Sequence, residues 1–233
     1  MPSVTSGKIC IFGAGGPVGV RIYERLKETY TLRLADIEPV DAILQRPRRG
    51  KWPRWTEAPS GPHEWVLCDV GDPDAVSRAA AGCDAIVNLT VNRSDPVPAF
   101  SVNVYGAYNI LRAAVRNGIR RVVHSGPWTR IGGYESDYRY DYHLSSDIPY
   151  HSGTGLYPLT KGLSLKLVDA FVDHHDLEVL TLLISRIRPP DAYDGRDDDV
   201  MISFSVSWSD LADAFACALR APSCPNRHEV FFT

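Results

Sequence analysis

The stretch from Lys8 to Asp36 constrains the fold of this chain more than any other part of the sequence. An apolar run of strand length, residues 8–12, is followed at once by a glycine-rich turn, residues 13–19. An apolar residue then recurs at every fourth position, which is typical of one face of a helix. Residues 31–36 form a second strand-like run that ends on a carboxylate. The stretch therefore predicts strand, turn, helix and strand in that order.

The glycine-rich turn predicts a dinucleotide site. Gly13 permits a tight turn, Gly16 lets a pyrophosphate approach the backbone, and Gly19 lets the helix pack close to the strand. Pro17 suits the first turn of a helix, whose free N–H groups attract phosphates. The residues predicted here to contact the cofactor are Gly13, Gly16, Pro17, Val18, Gly19, Asp36 and Ile37.

Asp36 indicates which dinucleotide would bind. It lies 23 residues after Gly13, near the distance at which a carboxylate accepts hydrogen bonds from ribose hydroxyls. A carboxylate there would repel a 2′-phosphate, so the sequence favours NAD over NADP. A glycine-rich turn without any ligand is the alternative, and the strand, helix and acid around this turn argue against it.

The composition excludes several classes of protein. The 233 residues are 44% hydrophobic with a formal net charge of −3, which suits one globular domain over residues 1–233 and gives no reason to expect nucleic acid. No apolar run approaches the ~20 residues of a membrane span. The short polar start and five dispersed cysteines favour a cytoplasmic protein, with Cys10 and Cys217 expected in the core. No cluster of potential ligands has metal-site spacing, so no metal is expected.

Residues 38–62 form an irregular insert that is rich in basic side chains. Trp52 and Trp55 lie among five arginines and lysines, a pattern that would also suit a phosphate or nucleic-acid site. Because the segment is short and the chain as a whole is not basic, we interpret it as a solvated loop whose tryptophans fold back onto the domain.

Strands and helices alternate along the rest of the chain, which predicts an α/β fold. We expect a Rossmann-type, doubly wound parallel sheet in three layers, with a minimal C-terminal substrate region. Strands are predicted at residues 64–68, 84–89, 119–125, 177–184 and 229–232, and helices from Asp72, at 97–117, at 156–171 and around 211–218. Polar regions at about 126–155 and 186–206 are expected to be substrate loops.

The strand ends complete the predicted cofactor site. Ligands of such sheets bind beyond the carboxyl ends of the strands. Asp69 and Val70 follow the third strand, where the carboxylate would accept from an adenine amino group. Asn88, Leu89 and Thr90 end the fourth strand and are expected to face the cofactor.

Tyr157 and Lys161 form the candidate catalytic pair. They lie one helical turn apart on one face. A phenol is a poor base at its reference pKa of ~10, but a nearby ammonium and a positive nicotinamide ring both favour the phenolate. Tyr157 would then take a hydroxyl proton as hydride leaves for the cofactor, and Lys161 would hold the nicotinamide ribose. The pattern alone is weak, and a surface tyrosine beside a solvated lysine is the alternative.

Together these motifs resemble an extended short-chain dehydrogenase/reductase. The resemblance covers nearly the whole chain and includes Asn103 and the run Ser146–Pro149 ahead of the tyrosine. Within that family, four segments look like uronate dehydrogenases: residues 32–36, 81–87, 131–134 and 155–161. The resemblance implies NAD-linked oxidation of a sugar acid at its anomeric hydroxyl to give a lactone. It also implies that Asn103 holds the active-site and cofactor geometry, and that the chain pairs as a homodimer or larger homo-oligomer through helices 97–117 and 156–171.

One position departs from the family pattern. The family places a serine or threonine just after the fifth strand to hydrogen-bond the reacting oxygen, and Pro127 stands there. Ser125 and Thr129 are the nearest substitutes. The substrate-binding candidates are Ser94, Trp128 and Arg196, of which Arg196 would bind a carboxylate or instead pair with the acidic run at 197–199.

The amino-acid sequence is also compatible with two other functions. Pro127 also fits a cofactor-binding sensor or scaffold that has lost catalysis. A sugar epimerase or dehydratase would use the same tyrosine and lysine and return the hydride, although the chain leaves little room for the larger C-terminal region of epimerases.

Overall fold

Parallel strands dominate the described part of the protein. The structure, a computed structural model, describes residues 3–47, 50, 52–127, 149–184, 186–188, 205–224 and 226–233. Its strands are β1 Lys8–Phe12, β2 Thr31–Asp36, β3 Glu64–Leu67, β4 Ala85–Asn88, β5 Arg121–Pro127, β6 Glu178–Ile184, β7 Arg186–Arg188, β8 Ser205–Ser207 and β9 His228–Phe232. Seven of these form one parallel sheet in the order β3-β2-β1-β4-β5-β6-β9, and β7 pairs with β8 separately.

Helices cover both faces of this sheet. They are α1 Pro17–Leu26, α2 Val40–Leu44, α3 Pro73–Ala80, α4 Pro96–Ala99, a π-helix Phe100–Gly106, α5 Ala107–Arg116, α6 Leu156–His174 and α7 Trp208–Arg220. Residues of α1 and α7 pack into the core on one face, and residues of α3, α5 and α6 pack into the core on the other. The predicted three-layer, Rossmann-type sheet is therefore confirmed.

The sequence of β1 shows why the sheet sits between two layers. Ile9 and Ile11 point into the core shared with α1 and α7, whereas Cys10 and Phe12 point into the core shared with α3 and α5. All four are fully buried. A strand covered on both faces reads as a continuous apolar run, which is the pattern that identified β1.

The helix predicted over residues 97–117 consists of α4, the π-helix and α5. A π-helical turn holds more residues than an α-helical turn, so it rotates everything that follows. The sequence of residues 97–117 predicts Val104, Tyr108, Leu111 and Val115 on one apolar face, yet Tyr108 is exposed. Of these four residues, Leu111 alone is fully buried, so the expected face is wrong.

The sequence of residues 156–171 predicts an apolar face on α6 made of five residues, and this prediction is also wrong. Leu156, Leu159, Leu163, Leu167 and Phe171 are half-buried, or in the case of Leu163 exposed. The side of α6 that faces the sheet instead carries buried polar groups among its apolar ones: Thr160, Lys161, Ser164, Leu165, Val168 and Val172. Polar groups that pair with each other can be buried, and a hydrophobic pattern does not reveal them.

Two further expectations are corrected. Cys217, expected in the core, is exposed, because it lies on the side of α7 that faces away from the sheet, whereas Cys10 is buried as expected. The insert contains the short helix α2 and is less irregular than predicted. Within the part of the chain that the structure describes, no helix is long and apolar enough to cross a bilayer.

Candidate functional site

The site lies at the carboxyl edge of the sheet, where β1 has β2 on one side and β4 on the other. The chain continues from β1 to β2 in one direction and later returns to β4 in the other, so a crevice opens between β1 and β4 at this edge. Gly13 has a φ of +78° and packs so tightly that an added Cβ would lie 3.0 Å from Thr90 N. The glycine turn and the end of β4 therefore form one surface.

The glycine turn has the shape that a pyrophosphate needs. At Gly19 an added Cβ would collide with the carbonyl of Ala14, so only glycine lets α1 approach this closely. At Gly16 the nearest atom to an added Cβ is Gly13 O at 3.8 Å, which leaves open space in front of the backbone. Gly16 is also the N-cap of α1, and no side chain caps the helix there. The amides at the start of α1 therefore have room to receive an anion.

Asp36 lies directly beside this turn. Its Oδ2 accepts a hydrogen bond from Gly15 N at 2.8 Å, and its Oδ1 accepts from Glu38 N at 3.2 Å. These two bonds fix the carboxylate at the end of β2, next to the space in front of the turn. Asp36 thus joins the end of β2 to the glycine turn.

The insert covers the outer side of the turn, which the sequence did not reveal. Trp55 is buried and donates from Nε1 to Ala14 O at 2.9 Å. Arg46 donates from Nη1 to Gly15 O at 3.1 Å and pairs with Glu38 at 2.7 Å. Trp52 is 50% exposed and meets Trp208 edge to face, so only one of the two tryptophans folds back as fully as expected. The insert thus supports the turn through the carbonyl groups of Ala14 and Gly15.

The residues predicted to hold the adenine end lie beyond β2 and β3. Ile37 is 61% exposed at the mouth of the site. Asp69 Oδ1 accepts from Gly71 N at 2.7 Å, so this carboxylate also shapes its own turn. Val70 is buried, and its carbonyl accepts from Asn109 Nδ2 at 2.8 Å.

The side chains at the end of β4 bond to the protein itself. Asn88 Oδ1 accepts from Thr90 Oγ1 at 2.8 Å and from Thr90 N at 3.0 Å. Its Nδ2 lies 3.1 Å from Nδ1 of His124, whose Nε2 lies 3.2 Å from Ser164 Oγ. Burial, and then the charge of Lys161, hold the pKa of His124 well below its usual range. A neutral ring with its proton on Nε2 satisfies the whole network. The side chains of Asn88 and Thr90 are therefore engaged in hydrogen bonds within the protein.

Asn103 ties this loop to α6. It is buried in the π-helix, its Oδ1 accepts from Asn92 N at 2.9 Å, and its Nδ2 donates to Asn92 O at 2.7 Å and to Thr160 Oγ1 at 2.9 Å. One side chain thus joins the π-helix, the loop after β4 and the helix that carries Tyr157. Its bonds to the loop run through the backbone N–H and C=O of Asn92.

Lys161 reaches across to the same loop. It is buried, and its Nζ donates to Thr90 O over a long 3.5 Å contact. Burial, followed by the charge of Arg93, lowers the pKa of Lys161 to about 7. The Lys161 side chain therefore reaches the end of β4, and its burial favours the uncharged amine above neutral pH.

Tyr157 lies one turn earlier on α6 and is partly buried. Burial raises the pKa of its phenol, and Arg93 lowers it through its charge and a side-chain hydrogen bond. The guanidinium carbon of Arg93 lies 4.6 Å from the centroid of the Tyr157 ring. Sequence reasoning missed Arg93, because no motif joins it to a tyrosine 64 positions later.

The candidates for the donor to the substrate are less well placed. Ser125 lies in β5 between His124 and Gly126, and successive side chains of a strand alternate between faces. Because His124 points towards Ser164 on α6, Ser125 points to the face that α7 covers. Pro127 is buried at the end of β5, and Ser94 is exposed in the loop after β4. Thr129, Trp128 and Arg196 lie outside the described residues.

Comparison with known proteins identifies related sequences and folds. Residues 9–207 match the family described as NAD dependent epimerase/dehydratase. The chain is 26% identical over 196 residues to a uronate dehydrogenase of Pseudomonas putida, a match that covers 81% of this chain and 64% of that enzyme. The chain therefore spans just under two thirds of the length of that curated relative.

Solved structures show the same architecture. A crystal structure of uronate dehydrogenase from Agrobacterium tumefaciens has a TM-score of 0.74 and 27% sequence identity, and covers 97% of this chain and 76% of that one. A variant of an Agrobacterium tumefaciens uronate dehydrogenase, complexed with NAD, has a TM-score of 0.73 and 26% identity at the same coverage.

The lowered pKa of Lys161 predicts a pH dependence of stability. Between pH 7 and about 10.5 the unfolded chain holds a proton on this lysine that the folded protein does not. Unfolding therefore takes up a proton, and the free energy of unfolding rises with pH by at most about 1.4 kcal/mol per unit from this group. We expect Lys161→Met to remove this increase and Lys166→Met, at an exposed site on the same helix, to retain it.

Urea unfolding of the ligand-free protein at several pH values measures the effect. The difference in stability between the unmodified protein and Lys161→Met should change across this window in favour of the unmodified protein. A difference that stays constant with pH would show that Lys161 keeps an ordinary pKa.

Proposed function

The chain belongs to the NAD dependent epimerase/dehydratase family, and we propose that it binds NAD and oxidises a hydroxyl of a small sugar or sugar acid. One observation carries the proposal. Lys161 on α6 reaches Thr90 O at the end of β4, and Gly13 of the dinucleotide turn packs on that same residue. A dinucleotide bound along the turn would thus extend towards the helix that carries Tyr157 and Lys161.

The residues divide the binding of NAD between them. The amides at the start of α1 would receive the pyrophosphate, and Asp36 would accept hydrogen bonds from the adenosine ribose. The carboxylate disfavours a 2′-phosphate, which supports NAD over NADP. Lys161 would hold the nicotinamide ribose. Asn103 links the loop after β4 to α6 through its hydrogen bonds to Asn92 and Thr160.

NAD supplies the hydride acceptor when it is bound. Tyr157, as phenolate, takes the proton of the substrate hydroxyl while the carbon that bears this hydroxyl loses its hydride. The positive charge of the oxidised nicotinamide favours the phenolate at this moment, and so does Lys161 in the fraction of molecules in which it is protonated. The donor to the substrate oxygen is Ser125 or Thr129, and the orientation of Ser125 in β5 favours the second of them.

The substrate class is proposed from the relatives. The Pseudomonas putida relative and the Agrobacterium tumefaciens structures are uronate dehydrogenases, which supports a hexuronate oxidised at its anomeric hydroxyl to a lactone. Arg196 would bind the carboxylate of such a substrate, and Ser94 and Trp128 would contact its hydroxyls.

We also propose that the chain forms a homodimer through α5 and α6. Tyr105, Tyr108 and Leu163 are exposed on the π-helix, α5 and α6, and they give these helices an apolar outer surface. A sedimentation-equilibrium mass near that of one 25.8 kDa chain would refute the dimer.

A second candidate function rests on Pro127. Proline has no side-chain donor and no N–H, so the end of β5 lacks the hydroxyl that the family pattern expects. Losing one donor to a reacting oxygen typically costs about 10²–10³ in rate. A chain of this kind would bind NAD without turning over a substrate, as a sensor or scaffold.

Steady-state kinetics separate the two functions. We expect formation of reduced cofactor when the protein and NAD are given a panel of uronates and aldoses. Tyr157→Phe should lower kcat about 10²–10⁴-fold, because it removes the proton acceptor. Tyr105→Phe, at an exposed tyrosine on the π-helix, is the matched control and should leave kcat unchanged.

Calorimetry with NAD supports the interpretation of these rates. Binding of NAD without turnover of any compound in the panel would favour the sensor. Turnover that is insensitive to Tyr157→Phe would remove Tyr157 as the base, and absence of both binding and turnover would contradict the proposal as a whole.

A further inference from the structure

Arg93 holds a cation directly against the candidate base. Its guanidinium carbon lies 4.6 Å from the centroid of the Tyr157 ring, within the range of a cation–π contact. Arg93 comes from the loop between β4 and α4, and Tyr157 from the first turn of α6. Two elements far apart in sequence therefore meet at the one side chain that the proposed function makes the proton acceptor.

The loop that carries Arg93 is fixed on both sides of this residue. Asn92 exchanges two backbone hydrogen bonds with the Asn103 side chain, and Asn92 Oδ1 accepts from Ser94 N at 3.2 Å. At Asp95, the side chain accepts from Val97 N at 3.1 Å and caps α4. The backbone that carries Arg93 is thus held beside the Tyr157 ring, although the Arg93 side chain itself is exposed.

Lys161 is less suited to supply a constant charge here. Its Nζ is directed to Thr90 O, and its pKa of about 7 leaves it largely uncharged above neutral pH. A guanidinium keeps its charge at every pH at which a protein folds. Within the described residues, no carboxylate forms an ion pair with Arg93, so its charge is not neutralised by one of them.

We propose that Arg93 is a positioning residue of this site, whose guanidinium orients the Tyr157 side chain and favours its deprotonated form. The inference rests on the proposed role of Tyr157 as the base and adds a second cation to the expected lysine. The phenol proton passes to solvent when the phenolate forms, and the substrate proton later restores it.

The charged and titratable groups around Tyr157 support this assignment. Arg93 faces the ring from the loop after β4, and Lys161 lies one turn further along α6. His124 in β5 lies behind Lys161 and is kept neutral by burial. Burial raises the pKa of Tyr157, and in the described part of the chain Arg93 opposes it through charge and hydrogen bond.

The experiment is a titration of Tyr157 by ultraviolet absorbance of tyrosinate in the ligand-free, full-length protein. Because the chain has 11 tyrosines, each curve is corrected by subtracting the same protein with Tyr157→Phe. We expect Arg93→Gln to reduce the phenolate-to-phenol ratio of Tyr157 about tenfold at a given pH. Arg93→Lys, which keeps a charge without the planar guanidinium, should give a phenolate-to-phenol ratio between those of the unmodified protein and Arg93→Gln.

The control is Arg116→Gln. Arg116 is exposed in the last turn of α5, at the opposite edge of the sheet from the site, and its removal takes away the same charge. The Tyr157 titration should not move in this variant. If Arg93→Gln and Arg116→Gln leave the same curve as the unmodified protein, the proposal is overturned.

Kinetics separate this inference from the proposed function. With a turned-over substrate, Arg93→Gln should move the acidic limb of the kcat profile, which reports protonation of the Tyr157 base, to higher pH by about one unit. A shift in the titration without turnover of any substrate would support the role of Arg93 and refute the dehydrogenase. If turnover depends on Tyr157 and Arg93→Gln shifts neither the Tyr157 titration nor the pH dependence of kcat, the dehydrogenase is supported and the role of Arg93 is refuted.

Discussion

The close packing of α1 against the glycine turn is the constraint on which the rest of the site depends. At Gly19 the helix approaches the carbonyl of Ala14 so closely that no side chain fits between them. This contact aims the start of α1 at the crevice between β1 and β4. Were α1 further away, its amides would no longer point into the space in front of Gly16, and the carboxylate of Asp36 would lose its bond to Gly15 N.

A layer of buried polar groups connects this turn to the candidate base. Asn88, His124 and Ser164 link β4, β5 and α6, while Asn103 and Thr160 link the loop after β4 to the same helix. Unpaired polar groups at such depth would each cost about 1–3 kcal/mol, so the layer is stable only when all its members are in place. The consequence is a single relative position for α6 and the end of β4, and so for Tyr157 and the glycine turn.

The sequence contained enough information for the fold but only part of the site. The glycine turn and the alternation of apolar runs predict the sheet because they depend on local sequence. The faces of α5 and α6 could not be predicted in this way. The π-helix before α5 rotates the buried face of α5 away from the predicted one. On α6, polar side chains pair with other polar groups, so the polar side of this helix is buried.

Contacts between segments that are distant in sequence could not be predicted either. Arg93 and Tyr157, or Trp55 and Ala14, are brought together by tertiary structure, and no spacing in the sequence joins them. Predicting such pairs requires the register of every strand and the rotation of every helix. The motifs alone therefore led to Lys161 as the cation beside Tyr157 and left Arg93 unnoticed.

A crystal structure of this protein with bound NAD tests the central claim most directly. We predict that the pyrophosphate lies over the backbone N–H groups at Gly16 and in the first turn of α1. A ribose hydroxyl should donate a hydrogen bond to Asp36, and the nicotinamide ring should lie beside Tyr157 and Lys161. A pyrophosphate bound elsewhere, or a nicotinamide directed away from α6, would contradict the account.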